Sequence, residues 1–126
     1  MGAAIFTDIG YGDTVTDAFR NARSAAFMEY GRGGYTGTIA EKNSVVEYEV
    51  PDGTTVNALI DALTETNGDD EAFARLVDAY GPGRAKTLFD TFDDKWGDAV
   101  AFRLPDRDGS DGSPIVRWAF CGWASC

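Results

Sequence analysis

The sequence contains no histidine, and its two cysteines, Cys121 and Cys126, both lie in the last six residues. The absence of histidine excludes the Ser-His and Cys-His pairs of nucleophilic catalysis and removes the usual nitrogen ligand of zinc. Two cysteines alone are too few for a four-ligand zinc site. We therefore predict no catalytic residues, no metal and no cofactor, and we do not expect an enzyme.

The two cysteines are also poorly placed for a disulfide. Five residues of extended strand span about 16 Å, which is beyond the reach of a disulfide bond. We expect one buried thiol and one free terminal thiol.

Positive charge is scarce, with 11 Lys and Arg against 21 Asp and Glu, for a net charge of −10. The imbalance is concentrated in residues 51–100, which hold eleven acidic and four basic residues. A negative field repels the phosphate backbone, so we predict no direct binding to nucleic acid. The same field attracts a basic surface on another protein.

The chain also lacks an apolar run of the roughly 18 residues that cross a membrane. Its first ten residues, MGAAIFTDIG, contain neither the basic segment nor the long apolar run of a secretory signal. We expect a soluble cytosolic protein that does not contact a membrane.

Apolar residues are nevertheless abundant. Hydrophobic residues make up 44% of the chain and include eight Phe, five Tyr and three Trp, which is ample for a core. Neither an internal repeat nor a low-complexity linker interrupts the pattern. We predict a single domain over residues 1–126.

Apolar spacing predicts the secondary structure. The first half reads as a strand at 3–9, a helix at 15–30 capped by Thr14, and a hairpin of strands at 35–40 and 45–50. Three helices begin near residues 55, 70 and 85, and two strands follow at 99–104 and 115–123. The order β-α-β-β-α-α-α-β-β predicts an α+β fold in which helices pack on one face of an antiparallel sheet.

The segment GRGGYTGTIAEKN, residues 31–43, is rich in glycine and carries two cations. It matches neither the P-loop nor the dinucleotide fingerprint, because the glycine spacing differs and a strand rather than a helix follows. One interpretation is a ligand or anion contact, with candidate residues Arg32, Gly33, Gly34, Tyr35 and Lys42. The other is a helix stop followed by the entry to a strand.

Two further groups are candidates for a partner surface. The carboxylates of Asp90, Asp93, Asp94 and Asp98 lie at the end of a predicted helix, where a metal site and a solvated helix face are the alternatives. In the last strand, Trp118 faces one side of the sheet and Trp123 the other. One of these two faces is either exposed for a partner or a homodimer, or covered as a second core.

Three segments resemble a family of short uncharacterised proteins encoded by tailed bacteriophages of actinobacteria. They are YGDTVTDAFRNA at 11–22, GGYTGTIAEK at 33–42 and FCGWAS at 120–125. The resemblance implies a small protein that acts in the cytoplasm of the infected host cell, and it assigns no functional residues.

Three functions are consistent with these features. The first is a non-enzymatic accessory protein that binds and modulates a host protein during infection. The second is a DNA mimic that inhibits a host nucleic-acid-binding enzyme through the carboxylates of residues 61–98. The third is a nucleotide or small-anion binding protein that uses residues 31–43.

Overall fold

A computed structural model describes residues 2–30, 36–66 and 70–126 of the chain. Within these residues the chain forms four α-helices, six β-strands and one turn of 3₁₀ helix at Ile39–Glu41. The helices are α1 (Val15–Tyr30), α2 (Val56–Glu65), α3 (Asp70–Tyr80) and α4 (Pro82–Asp93). The strands are β1 (Ala3–Tyr11), β2 (Val45–Tyr48), β3 (Ala99–Arg103), β4 (Arg107–Asp108), β5 (Pro114–Ile115) and β6 (Arg117–Ser125).

Helices α1 and α2 each begin where a threonine side-chain oxygen satisfies a free backbone N–H group. At the start of α1, Thr14 Oγ1 accepts a hydrogen bond from the backbone N–H of Asp17 at 3.1 Å, as the sequence predicts. Thr55 Oγ1 does the same for the N–H of Ala58 at the start of α2, also at 3.1 Å. These caps fix the helix starts to within a residue of the predicted positions.

The main sheet has the strand order β1-β6-β3-β2, and β4 pairs with β5 in a separate two-stranded ribbon. The α+β class is confirmed, and the order of the main elements matches the prediction. The sheet is mixed, however, because β2 runs parallel to β3 while the other pairs are antiparallel. The three helices between β2 and β3 carry the chain back to the starting end of the sheet, so the two strands run the same way.

Helices cover both faces of the sheet rather than the single face predicted. On one face, α1 packs against Phe6 and Phe120, and on the other α2, α3 and α4 pack against Val100, Phe102 and Cys121. The reason is that β3 is buried at its first four positions, Ala99 to Phe102, so apolar side chains project from both of its faces. Each face therefore needs its own helical layer.

The hairpin predicted from residues 35–40 and 45–50 is wrong. In the described part of this segment, Thr38 caps the 3₁₀ turn by accepting from the N–H of Ala40, and β2 pairs with β3 instead. The hydroxyl of Thr36 donates to Glu41 Oε2 at 2.8 Å and lies 2.8 Å from the hydroxyl of Thr38. These local side-chain bonds favour a turn over a strand.

Both cysteines are free, as predicted. Cys121 is buried in the core and Cys126 is exposed. Burial raises the pKa of the Cys121 thiol to about 12, because the thiolate would be poorly solvated there.

Gly10 marks the closest approach of α1 to the sheet. A Cβ atom on Gly10 would lie 2.3 Å from the backbone oxygen of Ala18 and 2.8 Å from the ring of Phe120. We predict that Gly10→Ala lowers the free energy of unfolding by about 1–3 kcal/mol, because the helix must shift to admit the methyl group. Chemical denaturation followed by circular dichroism measures the change.

The matched control is Gly83→Ala in α4, where a Cβ meets no atom within 4 Å. Because alanine has the higher helix propensity, this variant should be neutral or up to about 1 kcal/mol more stable. Equal stability of the Gly10→Ala variant and the wild type would contradict the close packing of α1.

Candidate functional site

The loop between α4 and β3 presents the most exposed aromatic side chain in the described residues. Trp96 is 61% exposed. The carboxylate of Asp94 accepts a hydrogen bond from the backbone N–H of Trp96 at 3.0 Å, and the backbone oxygen of Asp94 accepts from Gly97 N at 3.1 Å. These bonds close a tight turn, so a short ordered loop supports the indole.

Carboxylates surround this loop. Asp90, Asp94 and Asp98 line a concavity of about 350 Å³ together with two threonines of α4 and Gly97. Asp93, the last residue of α4, is exposed but does not line the concavity. The structure thus brings together three of the four acids predicted for a partner surface. We call Trp96 with these four acids, Asp90, Asp93, Asp94 and Asp98, the acidic Trp96 surface.

Besides Asp94, which accepts from the N–H of Trp96, two more of these acids have partners. Asp90 forms an ion pair with Lys86 one turn earlier in α4, with 2.9 Å between Nζ and Oδ2. Asp98 accepts a hydrogen bond from the hydroxyl of Ser44. The Lys95 ammonium lies 5.2 Å from the centroid of the Trp96 ring. Both lysines are on the surface and reduce the local negative charge, but the four carboxylates outnumber the two ammonium groups.

A buried lysine lies beneath this surface. Lys42 is only 1% exposed, and its Nζ donates to the backbone oxygen of Asp94 at 2.9 Å. Burial lowers the pKa of the Lys42 ammonium, and the nearby carboxylates of Asp94 and Asp98 partly oppose that shift. The side chain therefore ties the end of the 3₁₀ turn to the acidic loop.

This position corrects the prediction for Lys42. An anion-binding loop needs a cation that reaches its surface, whereas this ammonium points inward to a backbone oxygen. The other four candidates of the glycine-rich segment, Arg32, Gly33, Gly34 and Tyr35, lie outside the described residues.

The two tryptophans predicted for a partner surface are not exposed. Trp118 is 3% exposed and packs in the α1 core, with the Arg103 guanidinium 5.0 Å from its ring centroid. Trp123 is half-buried against the core formed by α2, α3 and α4. The two side chains do face opposite sides of the sheet, but helices cover both sides. Of the two alternatives, a second core is therefore correct, rather than a face exposed for a partner or a homodimer.

Sequence reasoning missed Trp96. The signal was present, because this tryptophan stands in the segment DDKWGD, whose other residues are charged or glycine, between a helix and a strand. Apolar periodicity does not identify such a residue, because the residue belongs to neither the helix nor the strand.

A larger and more apolar crevice, of about 650 Å³, lies at the carboxyl ends of β2 and β3. Val50, Val56 and Leu104 supply its apolar lining, and Glu47 and Glu49 border it. The carboxyl ends of parallel strands are a common place for ligands. Arg103 also lines the crevice and Glu49 forms an ion pair with Arg84 at 2.6 Å, so charges of both signs border it.

Within residues 2–30, 36–66 and 70–126, no group of three or more Asp, Glu or Cys side chains is arranged to hold a metal ion. None of the helices in these ranges is both long enough and apolar enough to cross a membrane. Protein-family models, curated proteins and solved structures yield no match to this chain.

The buried lysine gives a pH prediction. The unfolded chain keeps Lys42 protonated up to its ordinary pKa of 10.5, whereas the folded chain releases that proton at lower pH. Unfolding therefore takes up a proton between the two pKa values, and the stability of the wild type should rise with pH across that window. Relative to Lys42→Met, the wild type should be more stable at pH 10.5 than at pH 7.

Denaturant titrations of both proteins at the two pH values test this. The pKa of Tyr80 is raised to about 12 in the folded protein, so its titration lowers the stability of the fold above the ordinary tyrosine pKa of 10.0. Both proteins contain Tyr80, and this effect therefore cancels in the comparison. A stability difference that does not change with pH would show that Lys42 is as well solvated in the folded state as in the unfolded chain.

Proposed function

We propose that this is a small acidic accessory protein of phage origin that binds and modulates a host protein, and that the acidic Trp96 surface makes the contact. The observation that carries the proposal is the 61% exposure of Trp96 in a loop that is held by Asp94, next to a concavity lined by Asp90, Asp94 and Asp98. Large exposed aromatic side chains are uncommon on a monomer surface and are enriched at binding hot spots. The proposed role is non-enzymatic and belongs in the cytoplasm of the infected cell, as the sequence resemblance implies.

The chemistry of this surface indicates the kind of partner. Carboxylates favour lysine and arginine side chains, and an indole face attracts the same cations while burying their aliphatic stems. A basic segment of a folded host protein would therefore match both parts of the surface. The net charge of −10 would steer the encounter from a distance, and the indole would supply most of the short-range binding energy.

DNA mimicry requires many unpaired carboxylates in regular array. Two acids of residues 61–98 are neutralised by ion pairs, Glu65 with Arg75 and Asp90 with Lys86. The remaining acids still give a negative surface, so salt dependence is the measurement that separates mimicry from recognition through Trp96.

The test is affinity capture of tagged wild type and Trp96→Ala from actinobacterial lysate, followed by affinity measurement with the captured protein. We expect one protein in stoichiometric amount, bound about 30-fold or more weakly by Trp96→Ala, which is the scale of a hot-spot residue. The matched control is Met28→Ala, an exposed apolar side chain on α1 across the sheet, which should bind as the wild type does.

Retention of no host protein, or equal binding by Trp96→Ala and wild type, would refute the proposal. Complete loss of binding at about 0.5 M salt, with Trp96→Ala unaffected at low salt, would instead favour mimicry, because charge interactions are then screened within a few ångströms.

A further inference from the structure

The two edges of the main sheet differ in how well they are protected. Strand β2 has four residues, whereas β1 has nine. No strand in the described residues pairs with the outer edge of β1. The sequence of β1, AAIFTDIGY, contains a single charge and neither lysine nor proline. Natural edge strands are usually blunted by such residues, so β1 is an unusually open edge.

The register shows which backbone groups face outward from this edge. Gly2 and Cys126 exchange both of their backbone hydrogen bonds at 3.2 Å, and Gly12 N donates to Val116 O at 3.3 Å. Because bonded pairs alternate along an antiparallel ladder, the even residues of β1 bond to β6. The N–H and C=O groups of the odd residues point outward, and these residues are Ala3, Ile5, Thr7, Ile9 and Tyr11.

A crevice of about 420 Å³ follows part of this edge. Residues 5–8 line it from β1, while Ala25, Ala26 and Glu29 of α1 form its opposite wall with the start of the 3₁₀ turn. The small alanine side chains leave room beside the strand. The crevice therefore leaves open space beside the middle of β1.

The outer edge of β2 is less open to pairing with another strand than the edge of β1. It is short, and the side chains of Glu47 and Glu49 project near it. The backbone oxygen of Glu49 already accepts the Tyr80 hydroxyl at 2.5 Å. Short length and like charges are both devices that discourage strand addition.

We propose that β1 pairs with β1 of a second copy of this chain, antiparallel and about a two-fold axis at Thr7. The five outward residues are spaced symmetrically around Thr7. Thr7 therefore meets Thr7 of the second copy, Ile5 meets Ile9, and Ala3 meets Tyr11. The two four-stranded sheets become one continuous sheet of eight strands, and each β1 edge is removed.

The side chains fit this register. Ile9 is 43% exposed and Tyr11 is 48% exposed, although both are large apolar residues. In the dimer Ile9 gains a cross-strand neighbour in Ile5 of the second copy, a favourable pair. The only charge in the strand, Asp8, lies opposite Phe6 of the second copy rather than opposite another Asp8. No like charges of β1 are therefore directly paired.

We expect the Asp8 side chain to weaken the dimer. Its Oδ1 accepts from the backbone N–H of Ile9 at 2.8 Å, and this N–H must instead reach Ile5 O of the second copy. At the end of the strand, the Asn21 amide donates to Tyr11 O at 2.8 Å, but a carbonyl oxygen can accept a second bond. Removing the Asp8 carboxylate should therefore tighten the dimer.

Sedimentation velocity over about a hundredfold range of protein concentration tests the proposal. We expect wild type to dimerise. Thr7→Lys and Thr7→Glu should each weaken the dimer about tenfold or more, because like charges then meet at the two-fold axis. A mixture of the two variants should form a heterodimer. The control is Thr64→Lys, an exposed position on α2, which should dimerise as wild type does.

Asp8→Ala gives an independent check that keeps the Thr7 backbone and side chain intact, and it should dimerise more tightly than wild type. Added salt should also strengthen the dimer, because each copy carries a net charge of −10. A wild type that remains monomeric throughout, unchanged association of Thr7→Lys, or failure of the mixed variants to pair would overturn the proposal. None of these outcomes depends on the binding role of Trp96.

Discussion

Strand β6 is apolar on both of its faces, and both helical layers of the protein depend on it. It pairs with β1 over nine residues and with β3 on its other side, so it lies inside the sheet. Phe120 packs beneath α1, while the neighbouring Cys121 packs beneath the opposite helices. Gly10 on β1 lets α1 approach Phe120 closely, and this contact fixes the distance between α1 and the sheet.

The acidic loop is connected to this core through one buried ammonium group. Lys42 leaves the 3₁₀ turn, passes close to Gly122 of β6 and reaches the backbone oxygen of Asp94. A buried lysine is costly, and the two carboxylates of the loop only partly offset that cost. This contact links the backbone of the acidic loop to the core beneath it.

Much of the fold follows from short-range sequence patterns. The helices were predictable because apolar residues recur at helical spacing and threonines stand at the starts of α1 and α2. The opposite orientations of Trp118 and Trp123 followed from strand geometry in the same way. The direction of β2 did not, because its parallel pairing with β3 depends on how three intervening helices cross the sheet.

The candidate site was predictable only in part. Four acids near the end of one helix were visible as a cluster, but their relation to Trp96 depends on a loop that no periodic pattern describes. Lys42 was misplaced because sequence alone suggests that a lysine in a glycine-rich polar segment is exposed. Its burial results from a long-range contact with residue 94, which lies 52 positions away.

Amide hydrogen exchange of the protein, alone and in complex with a host protein captured from the lysate, would locate the binding surface. If the acidic Trp96 surface makes the contact, protection on binding is concentrated in the loop that contains Trp96 and in the last turn of α4. Protection confined to the glycine-rich segment or to the crevice beside β2, with the Trp96 loop unchanged, would contradict the proposed contact.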